Sequence, residues 1–377
     1  MKLRVKGPRG KYFPFSGLDR NSLSGVVSHT GATIMPSFFG PFPPRLWRPG
    51  PELPSLNRRF VPPMSMDSAI PRREFLRRSA CFSALALTGA SALPRLASAA
   101  EAEETATLAI VEGADYFNNT LKAVDLLGGI RRFVARGARV GLLINAPRWW
   151  NKPGSFTSPE VSLAAVKLCA DAGAREIVPI INPAAGYWKH TPRSNDYARE
   201  LALVKSNPGD WTEVEIPKGR SLKKAEVNKA LLDCDVFINL PISKHHEGTG
   251  FSGCLKNMMG ACSGSTNRFF HKGSGSSGGY ADVAFLSQCI ADVNLVRKPD
   301  LCICDSTEFL LTNGPAGPGE LRQARKVVAG TDGVAVDAYC STLLGLRPAQ
   351  VLMIVMAFKH GIGQIDWTKL AVKTATA

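Results

Sequence analysis

Between Pro241 and Gly260 the chain reads Pro-Ile-Ser-Lys-His-His-Glu-Gly-Thr-Gly-Phe-Ser-Gly-Cys-Leu-Lys-Asn-Met-Met-Gly. Lys244 and Lys256 supply cations, His245 and His246 supply imidazoles, and four glycines let the backbone N–H groups approach a ligand closely, a combination suited to holding an anion. Thr249, Gly250 and Asn257 are candidate ligand-binding neighbours in the same stretch, and Asn145 is another one far upstream. His246 can act as a base or a metal ligand, or stand as an ordinary surface histidine. Asp305 and Asp337 are the candidate carboxylates for acid–base work or for orienting Lys244, with capping and ion pairing as the alternatives. Asp332 suits a helix cap, whereas Asp337 falls on an apolar helical face and needs a partner there. Trp149 and Trp150, beside Arg148 and Lys152, suit stacking on a ring or ordinary packing. A metal between His and Asp or Cys, or an organic cofactor, remains open; no C-x-x-C occurs, so a ferredoxin-type cluster lacks local support.

These residues must be carried by strands and helices. Leu108–Val111, Arg139–Ile144, Glu176–Ile181, Val236–Leu240 and Leu301–Cys304 read as short buried strands. Helices are predicted over Thr120–Val134, Pro159–Gly173, Lys224–Leu232, Ala281–Asn294, Gly333–Leu344 and Ala349–His360. Residues Pro183–Lys218 read as an excursion with a two-strand piece at Leu201–Val204 and Thr212–Ile216, and Pro241–Tyr280 as a long irregular Gly-rich loop after a central strand. The alternation predicts an α/β fold, a mainly parallel sheet with helices on both faces. It forms one domain over residues 100–377 or two lobes divided near residue 240. In such sheets ligands bind beyond the carboxyl ends of strands, which directs attention to the segments after Ile144, Leu240 and Cys304.

The 377 residues carry a formal charge of +15, but unevenly. Residues 1–63 hold +8 and 11 of the 26 prolines, and residues 64–99 hold a further +3, leaving +4 for the rest. A nearly balanced domain argues against nucleic acid as partner. Residues 1–63 show no sustained period of 2 or 3.6 and read as a disordered leader or a mis-called start. Arg72-Arg73-Glu74-Phe75-Leu76-Arg77-Arg78, an uncharged run from Ser79 to Leu93, and Ala97-Ser98-Ala99 resemble a twin-arginine (Tat) signal peptide cleaved near Ala99. Pro71 departs from the Ser or Thr usual before the arginines. The apolar run is too short for a stable membrane span. The expectation is a periplasmic or otherwise exported protein whose partners are the Tat machinery and a small anionic molecule. Eight cysteines follow residue 100; most read as buried free thiols, with Cys254 and Cys262 held open because they flank the polar loop.

Asn239, Pro241, Lys244, Thr249, Gly250, Leu255, Lys256, Asn257 and Gly260 resemble the signature N-x-P-x-x-K-T-H-x-x-T-G-x-x-x-A-L-K-N-x-x-G of the domain-of-unknown-function 362 family. The Asn145 loop with Ser158-Pro159-Glu160, the Pro299–Asp305 strand, and Ala329–Asp332 with Ala335-Val336-Asp337 match the same family. His245 stands where Thr is common, His246 takes the family's His position, and Gly333 replaces a frequent Pro. The resemblance implies a fold and a site from Leu108 to Gly363 but no agreed reaction. A more distant likeness to nickel-dependent racemases transfers no ligand set. Two functions follow: an enzyme acting on a small anionic molecule, or a non-catalytic binding protein for an anionic ligand or cofactor.

Overall fold

A computed structural model describes residues 107–146, 152–272 and 282–377. Arg72, Arg73, the region around Ala99, Arg148, Trp149 and Trp150 lie outside the described residues.

The first half of the chain alternates between strand and helix. β1 (Leu108–Glu112) is followed by α1 (Tyr116–Leu126), β2 (Arg139–Ile144), α2 (Pro159–Ala172) and β3 (Glu176–Pro179). α1 starts earlier than the periodicity predicts because Asp115 caps it by accepting from the Asn118 N–H at 3.0 Å. It also stops earlier: Gly128 and Gly129 take φ of 94° and 80°, a conformation that ends the helix and leaves Ile130–Arg132 as a single 3₁₀ turn. α2 follows its sequence signals, with Ser158 as N-cap, Pro159 in the first turn and left-handed Gly173 at the end.

The excursion contains α3 (Ala198–Leu201), β4 (Trp211–Glu215) and β5 (Lys224–Asn228), then α4 (Lys229–Asp233) and β6 (Val236–Leu240). Here two expectations are corrected. Lys224-Ala225-Glu226-Val227-Asn228 is a strand rather than the start of a helix, because Ala225 and Val227 face inward while the segment pairs antiparallel with β4. Only Lys229–Asp233 is helical, capped by the Asn228 side chain. Leu201–Val204 makes no strand; Val204 forms a single bridge to Ile177.

Pro241–Tyr280 is also more ordered than expected. It holds the hairpin β7 (Lys244–His246) and β8 (Gly250–Ser252), the one-turn α5 (Cys254–Asn257) and α6 (Gly264–Lys272). After α7 (Val283–Val293) come β9 (Leu301–Leu310), β10 (Leu321–Gly330), α8 (Gly333–Leu343), α9 (Leu352–Lys359) and β11 (Val372–Thr376). β9 runs well past Cys304, and β10 and β11 have no counterpart among the predicted strands.

Seven strands form one mixed sheet in the order β11-β1-β10-β9-β6-β2-β3. Four of its pairings are parallel; β10 is antiparallel to both neighbours. Strands from both sides of residue 240 interleave in it, and all the described residues belong to one unit, Pro94–Ala377. α1 and α2 cover one face over Val140, Leu142, Ile238, Ile303 and Val327, whereas α4 to α9 cover the other over Leu143, Phe237, Cys302 and Val328. Burial on both faces explains the continuous apolar runs of β1, β2 and β6. Among the described residues no helix is long and apolar enough to cross a membrane.

Candidate functional site

A cavity of about 350 Å³ opens at the carboxyl ends of the adjacent parallel strands β2 and β6. Its walls bring together Asn145, Lys244, His246, Lys256 and Asn257, all anticipated from sequence, with Ser252, Asn267 and His271. Thr249, in the β7–β8 turn, and Gly250, at the start of β8, are not on the cavity wall. Gly250 has φ of 73°, which favours glycine, and the Thr249 hydroxyl donates to the Phe251 carbonyl at 2.8 Å.

Lys244 opens β7, three residues after the strand–loop junction that follows β6, and is 5% exposed. Its ammonium donates to the Ser155 carbonyl. Burial first, and the charge of Lys256 second, bring its pKa down to about 7. Lys256, half-buried on α5, is brought down to about 8 by burial. Neither lysine makes a salt bridge to any described carboxylate, and no Asp or Glu is among the described cavity residues. Two cations therefore share a small, partly dehydrated space, an arrangement that costs free energy until an anion enters.

His246 is 6% exposed, and burial, then the charges of Lys256 and Lys244, push its pKa down to about 3. Its Nδ1 accepts from the Gly248 N–H at 3.0 Å, so the neutral ring carries its proton on Nε2. Burial and Lys256 likewise lower the pKa of His271. The wall thus offers hydrogen-bond donors and cations, and its imidazoles stay uncharged at neutral pH.

Asparagines lock α5 to the sheet. Asn257 Nδ2 donates to the Leu143 carbonyl at 2.9 Å and to Asn239 Oδ1 at 2.7 Å, while Asn239 Nδ2 donates to the Cys254 carbonyl at 2.9 Å. Asn145 continues β2, donating its N–H to the Leu240 carbonyl at 3.0 Å and accepting from the Thr157 N–H at 2.9 Å.

The two carboxylates stand behind this wall, not on it. Asp337, fully buried on α8, accepts from the backbone N–H groups of Cys254 at 2.5 Å and Leu255 at 2.9 Å, which open α5. The approach is close because Gly253 has no side chain: a Cβ there would lie 2.2 Å from Asp337 Oδ1. Burial pushes the Asp337 carboxyl up to about 8. Asp305, on β9, accepts from the Ser158 N–H at 2.6 Å and from Thr307 N–H and Oγ1 at 2.9 and 2.6 Å, tying the start of α2 to the sheet. Burial pushes its carboxyl up to about 6. Asp332 caps α8, accepting from Val334 and Ala335 at 2.9 and 3.1 Å. His245 Nδ1 accepts from the Gly314 N–H at 3.1 Å.

His271 and Asn267 do not stand out in the sequence, because Pro241–Tyr280 reads there as irregular. Their i, i+4 spacing puts both on one face once α6 is recognised as a helix. The eight described cysteines are free and buried, Cys254 and Cys262 included. Among the described residues no group of three His, Cys, Asp or Glu side chains is placed to hold a metal ion.

The fold and cavity define a mixed α/β protein with a cationic site at the sheet's carboxyl edge. The chain belongs to the domain of unknown function family DUF362, whose model matches residues 140–342. It is 29% identical over 236 residues to a thylakoid-associated protein of Synechocystis sp., covering 60% of this chain and 70% of that one. Among solved structures it is similar to a protein from Thermotoga maritima, with 14% identity, a TM-score of 0.34 and coverage of 61% of this chain and 58% of that one. The lactate racemase apoprotein from Thermoanaerobacterium thermosaccharolyticum is similar at 14% identity, with a TM-score of 0.36 and coverage of 66% and 60%. The chain thus spans under two thirds of the length of either structure.

Proposed function

We propose that this DUF362 protein is an enzyme acting on a small anionic molecule bound between Lys244 and Lys256. The observation that supports the reading is the pair of lysines in one 350 Å³ cavity whose described walls carry no carboxylate. An anion there replaces lost hydration and relieves the repulsion between the ammonium groups. Asn145 borders the ligand space, Asn257 fixes the backbone of α5 from which Lys256 reaches the ligand, and His246, held in one tautomer, donates through Nε2 or relays a proton. Asp305 and Asp337 act as positioning residues: the first fixes the entrance to α2 and the second the backbone that carries Lys256. Export through the twin-arginine route belongs to the same proposal, on the strength of the segment from Arg72 to Ala99. Lysine at both Arg72 and Arg73 should hold the protein in the cytoplasm, and unchanged export of that variant would overturn this part.

Native mass spectrometry of wild-type and Lys244→Met protein, expressed with its own signal, tests the site. A small anionic mass present on the wild type and missing from the variant supports it; identical spectra count against it. The alternative is a non-catalytic protein that holds an anionic ligand. His246→Gln separates the two: an enzyme keeps ligand affinity but loses turnover of the bound molecule, whereas a binding protein turns nothing over in either form.

A further inference from the structure

We propose that Lys244 is a nucleophilic amine that forms an imine with the carbonyl group of a small carboxylate- or phosphate-bearing aldehyde or ketone, Lys256 holding the anionic group. The inference rests on the anion-binding reading above and names its substrate class. It stands first on placement. Lys244 is buried in a cavity sized for a metabolite, its Nζ touches a carbonyl oxygen rather than a carboxylate, and a second lysine lines the same space. Anion binding alone does not require a lysine to be withdrawn from water, and Lys244 is 5% exposed. A buried lysine beside another cation is instead the arrangement that frees the amine lone pair. The depressed pKa near 7 agrees with this placement, since a large share of Lys244 is then neutral at physiological pH.

The chemistry balances without an oxidant or reductant. The Nζ lone pair forms a C–N bond to the carbonyl carbon as the C=O π electrons move to oxygen. That oxygen leaves as water with one proton from Nζ and one from solvent, and the C=N⁺ bond closes. The iminium then withdraws electrons from the neighbouring carbon, which is the purpose of such an adduct. His246 Nε2–H is a donor on the cavity wall able to hold the departing oxygen. Among the described residues, the titratable groups that line the cavity with Lys244 are Lys256 on α5, His246 on β7 and His271 on α6. Both histidines have lowered pKa values, so in the neutral range the charge balance turns on the two lysines.

Full-length protein is incubated with pyruvate, with glycolaldehyde phosphate, or with their uncharged counterparts methyl pyruvate and glycolaldehyde, each in the presence of cyanoborohydride, and its peptides are mapped by mass. The expected result is one reduced adduct on the peptide bearing Lys244, forming faster from pH 6 to pH 8, and about tenfold faster with each anionic carbonyl than with its uncharged counterpart. The two anionic arms distinguish carboxylate from phosphate recognition. Lys244→Arg has no primary amine at this position and should give no adduct there, while the wild type binds oxalate in a calorimeter. Adducts spread over surface lysines equally in wild type and Lys244→Arg overturn the inference. Oxalate binding to a wild type that gives no Lys244 adduct overturns the imine but leaves the anion site standing; loss of oxalate binding as well overturns both.

Discussion

A lysine ammonium moved out of water loses hydration, and at Lys244 no described carboxylate returns it. The cost has a definite pH signature. Its folded pKa is about 7 against about 10.4 in an unfolded chain, so across that window the unfolded state binds more protons and stability rises with pH. Below about pH 7 both states are protonated and the cost of burying the charge is complete. Lys244→Met removes that cost, and should stabilise the fold by about 1–3 kcal/mol at pH 6 with the gain fading toward pH 10. Urea unfolding of both proteins at pH 6 and 9.5 checks it; a variant less stable at pH 6 contradicts the burial cost. Ligand affinity should run the other way, falling as pH passes 7 to 8 and the two lysines lose protons. Lys244, His246, Lys256, Asn257 and Asn145 are legible in the sequence because their types advertise chemistry and their loops follow strand ends. His271 and Asn267 are not, since one histidine and one asparagine in a polar stretch resemble solvated side chains until a helix aligns them.

At the scale of elements, one turn of helix holds half of the site. α5 is too short to persist alone, and it is fixed by the Asp337 carboxylate beneath its first two N–H groups and by Asn257 bridging β2 and β6. Asp337→Ala leaves two buried donors unmade and should cost about 2–4 kcal/mol. Anion affinity should fall with it even though Asp337 does not line the cavity. Gly253→Ala should produce the same phenotype, because its Cβ would lie 2.8 Å from Phe251 Cε1 as well as against Asp337. Thermal melts and oxalate titrations of the two variants check this; full affinity in a destabilised Asp337→Ala protein would show that α5 holds Lys256 without that contact. The strand alternation of β1, β2 and β6 is readable from apolar runs. Lys224–Asn228 misleads because Lys, Ala and Glu favour helices, and cross-strand pairing with β4 outweighs that preference. Leu321–Gly330 hides because its outer half is polar and exposed, and Val372–Thr376 because only its pairing with β1 makes it a strand.

Across the whole molecule the sheet carries its apolar cores on two faces, and the site sits at an edge where parallel strands end. The thiols follow that division. All eight described cysteines are buried and unpaired, so the native protein should resist a water-soluble thiol reagent that labels all eight after unfolding. Reductant should leave the melting temperature unchanged. Rapid labelling of Cys254 in the native state would mean that the wall behind α5 opens. The fold class is legible from length and alternation. The mixed character of the sheet is not, because the polar, exposed outer half of β10 hides the strand that folds back antiparallel on β9.

Calorimetric titration with oxalate and with inorganic phosphate at pH 8, in two buffers of different ionisation enthalpy, tests the central claim most directly. Binding of either anion with net proton uptake, and loss of both binding and uptake in a folded Lys244→Met/Lys256→Met protein, is the expected result. Failure of the wild type to bind either anion, or binding that survives the double substitution unchanged, would contradict it.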